Sequence, residues 1–262
     1  KGKGVKDPRG QLISVGVKYI KKKKPRLAIM ENVKGLANKN HKNVIKGIHK
    51  SLKQQYRVHW KVLNSYDYQV SQQRHRLFCV AIRKDSMHRA FQWPKPVTPN
   101  VNLNDILDPV QRDKGDLPGR LPKNENQRVH AKNAMKAVHN KGIDPVKTPV
   151  AIDIDCSTKY ETFGVNKAKT ITRTRGGQGG PWLSSHGRRT NVNELLKCQG
   201  FYPEEVEWQA AGITRTQIGQ LIGNSVPVNM VGHVLTNAMY SAGLISDEVQ
   251  FPPSRYAPRR QA

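Results

Sequence analysis

Three cysteines in 262 residues, Cys79, Cys156 and Cys198, form no Cys-x-x-Cys pair. That argues against a disulfide framework and against a structural thiolate zinc site. The nine histidines never fall in a His-x-x-x-His spacing, so no metal is expected. No apolar run approaches the roughly 18 residues that a membrane-spanning helix needs, and no secretory signal is visible. A reducing, intracellular compartment is expected. Acid is also short, with 19 Asp and Glu against 45 Lys and Arg, for a formal net charge of +26. A field that positive favours a polyanion, nucleic acid first and an anionic membrane surface second. Methionine is missing from position 1, and KGKGVKDPRG reads like the middle of a glycine-rich loop. The chain is therefore expected to be part of a longer protein.

What is present reads first as alternating helices and strands. QLISVGVKYIKKKK (11–24) carries Leu12, Ile13, Val17 and Ile20 at helical spacing and stops at Pro25. RLAIM (26–30) is a short apolar strand, expected to end where Glu31-Asn32 begins. VIKGIHKSL (44–52) places Val44, Ile45, Ile48 and Leu52 on one helical face. VHWKV (58–62) alternates like a half-exposed strand, and LFCVAI (77–82) is apolar throughout, like a strand covered on both faces. This predicts an α/β sheet with helices on its faces.

The pattern fades after FQWPKPVTPN (91–100). Residues 93–168 are polar and proline-punctuated, and AKNAMKAVHN (131–140) is their one helix candidate. ELLKCQGF (194–201) predicts a helix stopped by Gly200. In LIGNSVPVNMVGHVLTNAMY (221–240), Ser225 is a candidate N-cap and Met230, Val231, Val234 and Leu235 a candidate apolar face. FPPSRYAPRRQA (251–262) reads as a disordered basic tail. The expected domains are 1–92 and 186–245 for one α/β unit, 93–185 for an irregular module and 246–262 for the tail.

Four short motifs follow in order: ENV (31–33), QQRHR (72–76), ELLKCQGF (194–201) and GNSVP (223–227). Each alone is weak, but their joint order and spacing are not ordinary. With DPRGQL (7–12), they resemble the DNA (cytosine-5) methyltransferase family over roughly 4–83 and 169–242. The resemblance implies part of a Rossmann-like, S-adenosylmethionine-dependent methyltransferase sheet. Residues 93–185 would be its irregular, mostly β/loop target-recognition domain. Double-stranded DNA would be the partner, S-adenosyl-L-methionine the methyl donor, and the location wherever DNA is: the nucleus in a eukaryote, the cytoplasm or nucleoid in a bacterium or virus.

The resemblance also assigns roles. Carbon 5 of cytosine is a poor nucleophile until a thiolate adds at carbon 6, and the negative charge that develops on the ring needs stabilising donors. Glu31 would meet N3 of the flipped base and Arg76 its O2, while Arg74, also in the catalytic motif, and Gln72 would position the catalytic loop, the DNA backbone, or both. Asn32, Val33, Gln72, Arg173, Arg175, Gly176 and Gly177 would face DNA, the glycines letting backbone approach closely. Asn224 and Ser225 would contribute to the donor pocket.

The family's Pro-Cys-Gln nucleophile motif and its Phe-x-Gly-x-Gly donor loop do not occur in this sequence. Cys198 sits in a tempting Lys-Cys-Gln but inside a helix pattern, Cys79 lies in a predicted strand, and Cys156 has no basic partner beside it. None is expected to replace the nucleophile, so the chain alone is expected to be inactive. A separate amino-terminal methyltransferase fragment is a candidate partner. Two other readings share these motifs: a non-catalytic nucleic-acid-binding remnant and a tRNA cytosine methyltransferase.

Overall fold

The computed structural model describes residues 8–157, 162–246 and 249–258, with side chains from residue 12. Along the chain the elements are α1 (Pro8–Lys23), β1 (Leu27–Val33), α2 (Lys42–Leu52), β2 (Tyr56–Asn64), β3 (Gln72–Gln73) and β4 (His75–Arg83). Then come α3 (Glu125–His139), β5 (Val150–Ile152), β6 (Phe163–Val165), β7 (Ala168–Lys169), α4 (Arg173–Gly177), β8 (Trp182–Leu183) and β9 (Arg188–Arg189). The last three helices are α5 (Val192–Lys197), α6 (Arg215–Asn224) and α7 (Val228–Ser241). Apart from Leu12, the DPRGQL segment lies outside the described side chains.

Two compact units divide the chain. The first comprises 1–64, 75–95 and 232–251; the second comprises 65–74, 96–231 and 252–262. Residues 65–74 and 186–231 thus join the module at 96–185 instead of returning to the α/β unit. One shared core explains this: Val101, Leu103, Ile106 and Leu183 pack with Val192, Leu195, Ile218 and Ile222.

In the first unit, β4 lies between β1 and β2 and is antiparallel to both, so β1 and β2 run parallel to each other through α2. Leu77 to Ile82 of β4 are all buried, as a central strand requires. Alternation places Ala28, Met30, Val58, Trp60 and Ala81 on one sheet face, where Val17 and Ile20 of α1 and Ile48 and Leu52 of α2 cover them. The amphipathic spacing of both helices was readable in the sequence. The other face of α1 leaves Leu12, Val15 and Tyr19 66%, 59% and 61% exposed.

The second unit holds a four-stranded sheet in the order β6-β5-β8-β9, all antiparallel, and the parallel pair β3-β7. In the module read as mostly β/loop, the helix candidate at 131–140 is α3, which runs 15 residues and starts six residues earlier. Its buried stripe is His130, Ala131, Ala134 and Val138, which packs over Val150, Ile152 and Ile154. Two alanines and a histidine make that stripe nearly invisible to a hydrophobicity reading. α6 was also unanticipated, although its Thr214–Gln217 capping box was present in the sequence.

Two further expectations give way. α7 buries Met230, Val234 and Ala238 at i, i+4 and i+8, while Leu235 is 41% exposed. Residues 252–258 are held in place: Ser254 N donates to Gln69 Oε1, and the Tyr256 hydroxyl donates to the Phe201 carbonyl. The part of the tail at 259–262 lies outside the described residues.

Candidate active site

In the first unit, β1 does not stop before Glu31-Asn32; it runs on through Val33, pairing Glu31 with Phe78, Asn32 with Leu77 and Val33 with Arg76. Backbone pairing along β4 outlasts the apolar run, which is why composition placed the end too early. Because side chains alternate, Glu31, Val33 and Arg76 share one face, away from α1 and α2, and Asn32 projects from the other. Arg76 Nε lies 2.7 Å from Glu31 Oε1, with the two side chains 13% and 28% exposed. Burial lowers the Arg76 pKa from its ordinary value, and the Glu31 charge and hydrogen bond oppose that shift. The guanidinium stays charged. Its Nη1 donates to the His75 carbonyl at 2.9 Å, which fixes the fork. Asn32 turns its Oδ1 to the Val33 amide at 2.8 Å, and Val33 is 58% exposed.

The second unit gathers a different set of the expected residues. Arg74 is 3% exposed and donates to three backbone carbonyls: Ile171 at 2.6 Å, Gly223 at 3.1 Å and Ser225 at 2.8 Å. Gln72 is fully buried; its amide donates to the Cys198 carbonyl at 3.0 Å and accepts from the Ile171 amide at 2.8 Å. Both side chains therefore tie the strand to the segment at 171, Arg74 adding 223–225 and Gln72 adding Cys198. So held, Arg74 is placed to position these segments, and both ends of the Gln72 amide are engaged by protein. Positions two apart in one motif are thus split, Arg74 as a clamp in one unit and Arg76 as a partner of Glu31 in the other.

The glycines of the basic stretch are close-packing positions. A Cβ on Gly176 would sit 2.0 Å from the Gly219 carbonyl oxygen, and one on Gly177 would sit 2.8 Å from Gln220 Cγ. The close backbone approach they permit within the protein is to α6. Thr172 caps α4 through the Arg175 amide. Arg175 pairs with Asp153 at 2.8 Å, whereas Arg173 is exposed and bonds only Gln220 Oε1, at 3.1 Å, among the described residues.

Ser225 closes the C-terminus of α6 instead of opening α7. Its hydroxyl donates to the Ile222 carbonyl at 2.7 Å, its amide bonds Leu221 and Ile222, and its carbonyl accepts from Arg74. The exposed Asn224 amide is the one polar side chain of the pair left unengaged among the described residues. Asn224 and Ser225 therefore do not make a donor pocket by themselves.

Sequence reasoning missed the ionic framework around α5. Glu194 is fully buried, and its carboxylate takes a two-pronged contact from Arg188, at 2.9 and 3.0 Å, and closes a capping box with Asn191. Arg188 also reaches Asp116 at 2.7 Å. The Asn-x-x-Glu spacing announced the cap; nothing local announced Arg188. Gly200, at φ 82°, turns the chain after α5 as expected.

No cysteine is poised for attack. Burial pushes the Cys79 and Cys198 thiols up to about 12. The Cys156 thiol is raised by burial and by Asp153, and it donates to the Asp153 carbonyl at 3.0 Å. Against the expectation of no basic neighbour, His130 Nδ1 lies 3.7 Å from its sulfur, brought there from α3 by the fold. Among the described residues, no group of three or more His, Cys, Asp or Glu side chains could hold a metal, and no helix is long and apolar enough to cross a membrane.

A family model for C-5 cytosine-specific DNA methylase matches residues 1–239. Type II methyltransferase M.HhaI of Haemophilus parahaemolyticus is 27% identical over 249 residues, covering 90% of this chain and 70% of that protein. Type II methyltransferase M.MthTI of Methanothermobacter thermautotrophicus is 36% identical over 131 residues, covering 50% of this chain and 37% of that protein. Among solved structures, the S. pombe Dnmt2 methyltransferase aligns with a TM-score of 0.59 at 13% identity, over 90% of this chain and 75% of the other. At that identity the likeness is one of fold.

Proposed function

The chain belongs to the C-5 cytosine-specific DNA methylase family, and from that membership we propose that it supplies the charge-stabilising part of a site that methylates carbon 5 of a flipped cytosine in double-stranded DNA. The observation that carries the reading is the Glu31–Arg76 pair on one face of the β1–β4 ladder. A carboxyl group and a guanidinium side by side match the N3 and O2 edge of cytosine, where charge develops once a thiolate has added at carbon 6. Flipping delivers that edge, since a stacked base cannot be reached. Val33 and Asn32 at the same strand end, together with exposed Arg173, are the remaining candidates for DNA contact.

The thiolate comes from outside these residues, because a thiol with a pKa near 12 carries almost no thiolate at neutral pH. A segment carrying the nucleophile and the donor loop is the proposed partner that completes the site. The exposed Leu12, Val15 and Tyr19 face of α1 and the unpaired edge of β1 in the described sheet are surfaces such a segment would cover. The family implies a methyl donor; S-adenosyl-L-methionine is the one proposed. Asn224 and Ser225 do not by themselves close a pocket for it. The location proposed is with DNA.

The test combines this chain with a polypeptide from a relative that carries the Pro-Cys-Gln motif and the donor loop. Methyl transfer is then measured on duplex DNA and on tRNA in parallel. Transfer to DNA and not to tRNA is expected. A folded mixture that methylates neither, or only tRNA, overturns the reading.

A further inference from the structure

α3 carries a row of cations on the face opposite its buried stripe. Arg128, Lys132 and Lys136 are all exposed and recur every four residues. At a rise of about 1.5 Å per residue, neighbours in the row stand about 6 Å apart and the row spans about 12 Å. His139 falls at the end of the same face.

Two features set this row apart from an ordinary solvated helix face. Solvated faces usually alternate charge, since opposite charges at i and i+4 support a helix and like charges there cost a few tenths of a kcal/mol per pair. Here both i, i+4 steps, Arg128 to Lys132 and Lys132 to Lys136, join like charges, so the row opposes the helix that displays it. The sole carboxylate of α3, Glu125, is in the first turn and meets Arg128 at 3.0 Å, with side chains 73% and 45% exposed. A pair so exposed is easily exchanged for another anion. The row is also firmly mounted. Arg128 is oriented by the Pro122 and Lys123 carbonyls, Asn124 caps the helix through Gln127 N, and the opposite face is sealed against β5.

We propose that this row is a phosphate-contacting rail. It would lie along one strand of the DNA backbone and hold the second unit on the duplex independently of base sequence. Three cations about 6 Å apart along the row face up to three phosphates of one strand. The proposal rests on the reading of duplex DNA as the partner and adds where the backbone is gripped.

The experiment measures binding of the full chain to a duplex of about 20 base pairs by fluorescence anisotropy, across a range of salt. Arg128→Gln, Lys132→Gln and Lys136→Gln are combined in one variant, because glutamine keeps helix propensity close to that of the replaced residues. The comparison variant loses the same three charges elsewhere, as Lys21→Gln, Lys22→Gln and Lys23→Gln at the end of α1. Each lost phosphate contact lowers the slope of log K against log salt by about 0.9. The α3 variant is therefore expected to lose about 2 to 3 in slope, with unchanged circular dichroism, and the α1 variant less than 1. Equal slopes in the α3 variant and the wild type, or equal losses in both variants, overturn the rail. Wild-type chain that binds no duplex at any salt overturns the DNA reading itself.

Discussion

Arg76 Nε donates to Glu31 Oε1 across 2.7 Å, reaching diagonally between antiparallel strands because Arg76 stands opposite Val33, two residues along from Glu31. The pair is partly open, with the carboxylate 28% exposed, so its net contribution to stability is about 1 kcal/mol or less. Glu31→Gln is expected to leave the urea midpoint nearly unchanged. In the completed enzyme it should lower the rate of methyl transfer by about 10²-fold to 10³-fold, the usual loss when one charge-stabilising group is removed. A large fall in stability with normal transfer would make the pair structural.

Arg74 predicts the reverse. Its guanidinium is the donor for the Ile171, Gly223 and Ser225 carbonyls, and its side chain is 3% exposed. Arg74→Lys cannot reproduce that fork, and each buried acceptor left unmet costs about 1–3 kcal/mol. Urea unfolding should show a loss of about 3 kcal/mol or more. A variant with normal stability and no methyl transfer would return Arg74 to the catalytic group.

The contrast between these two arginines shows what sequence could tell. Period placed α1, α2, β2 and β4, and the family resemblance named Glu31 and Arg76 together, which the structure brings into contact. Neither could separate Arg74 from Arg76, since the difference lies in carbonyls about 97 and 150 residues away. α3 was read only from 131, because the buried residue before it is a histidine and not an aliphatic side chain, and the packing of Gly176 was invisible because its partner, Gly219, lies on a helix that follows 40 residues later. Ser225 looked like an N-cap because a hydroxyl before a helix is the ordinary cap; here it also followed a helix, and its hydroxyl turned back to Ile222.

The cysteines make a pH prediction. Burial raises the Cys79 and Cys198 pKa from 9.0 to about 12, so in the folded chain these thiols stay protonated where the unfolded chain would ionise. The stability linked to them is fully present below about pH 9 and is lost as pH rises toward 12. At pH 8 the native chain should take up iodoacetamide at Cys156 at most, and slowly; in denaturant all three cysteines should react. Fast labelling of Cys198 in the native chain would reopen its Lys-Cys-Gln as a nucleophile.

Glu194 separates a cap from an ion pair. It is fully buried, closes the Asn191 capping box and meets Arg188 in a two-pronged contact. Glu194→Gln keeps the cap geometry and removes the charge, leaving Arg188 with Asp116 alone; a loss of about 3–5 kcal/mol is expected from breaking such a buried pair. Glu194→Ala removes the cap as well and should cost about 1 kcal/mol more. Thermal unfolding of both variants measures the two contributions, and equal midpoints would show that the cap adds nothing.

Glycine substitutions test whether the basic turn is built for packing. Gly176 and Gly219 face each other across α4 and α6, and a Cβ on either would sit within 2.0–2.2 Å of the other's carbonyl oxygen. Backbone on both sides leaves nothing flexible to yield, so Gly176→Ala must push the helices apart and should destabilise by at least the 1–3 kcal/mol typical of an overpacked core. Gly47, inside α2, has nothing within 4 Å of its added Cβ. There Gly47→Ala only removes backbone freedom from a helix interior and should stabilise by about 0.5–1 kcal/mol. The same substitution thus carries opposite signs at the two sites, and calorimetry can read both. If Gly176→Ala left the midpoint unchanged while weakening DNA binding, the expectation that this glycine faces DNA would stand, and the helix contact would be the incidental one.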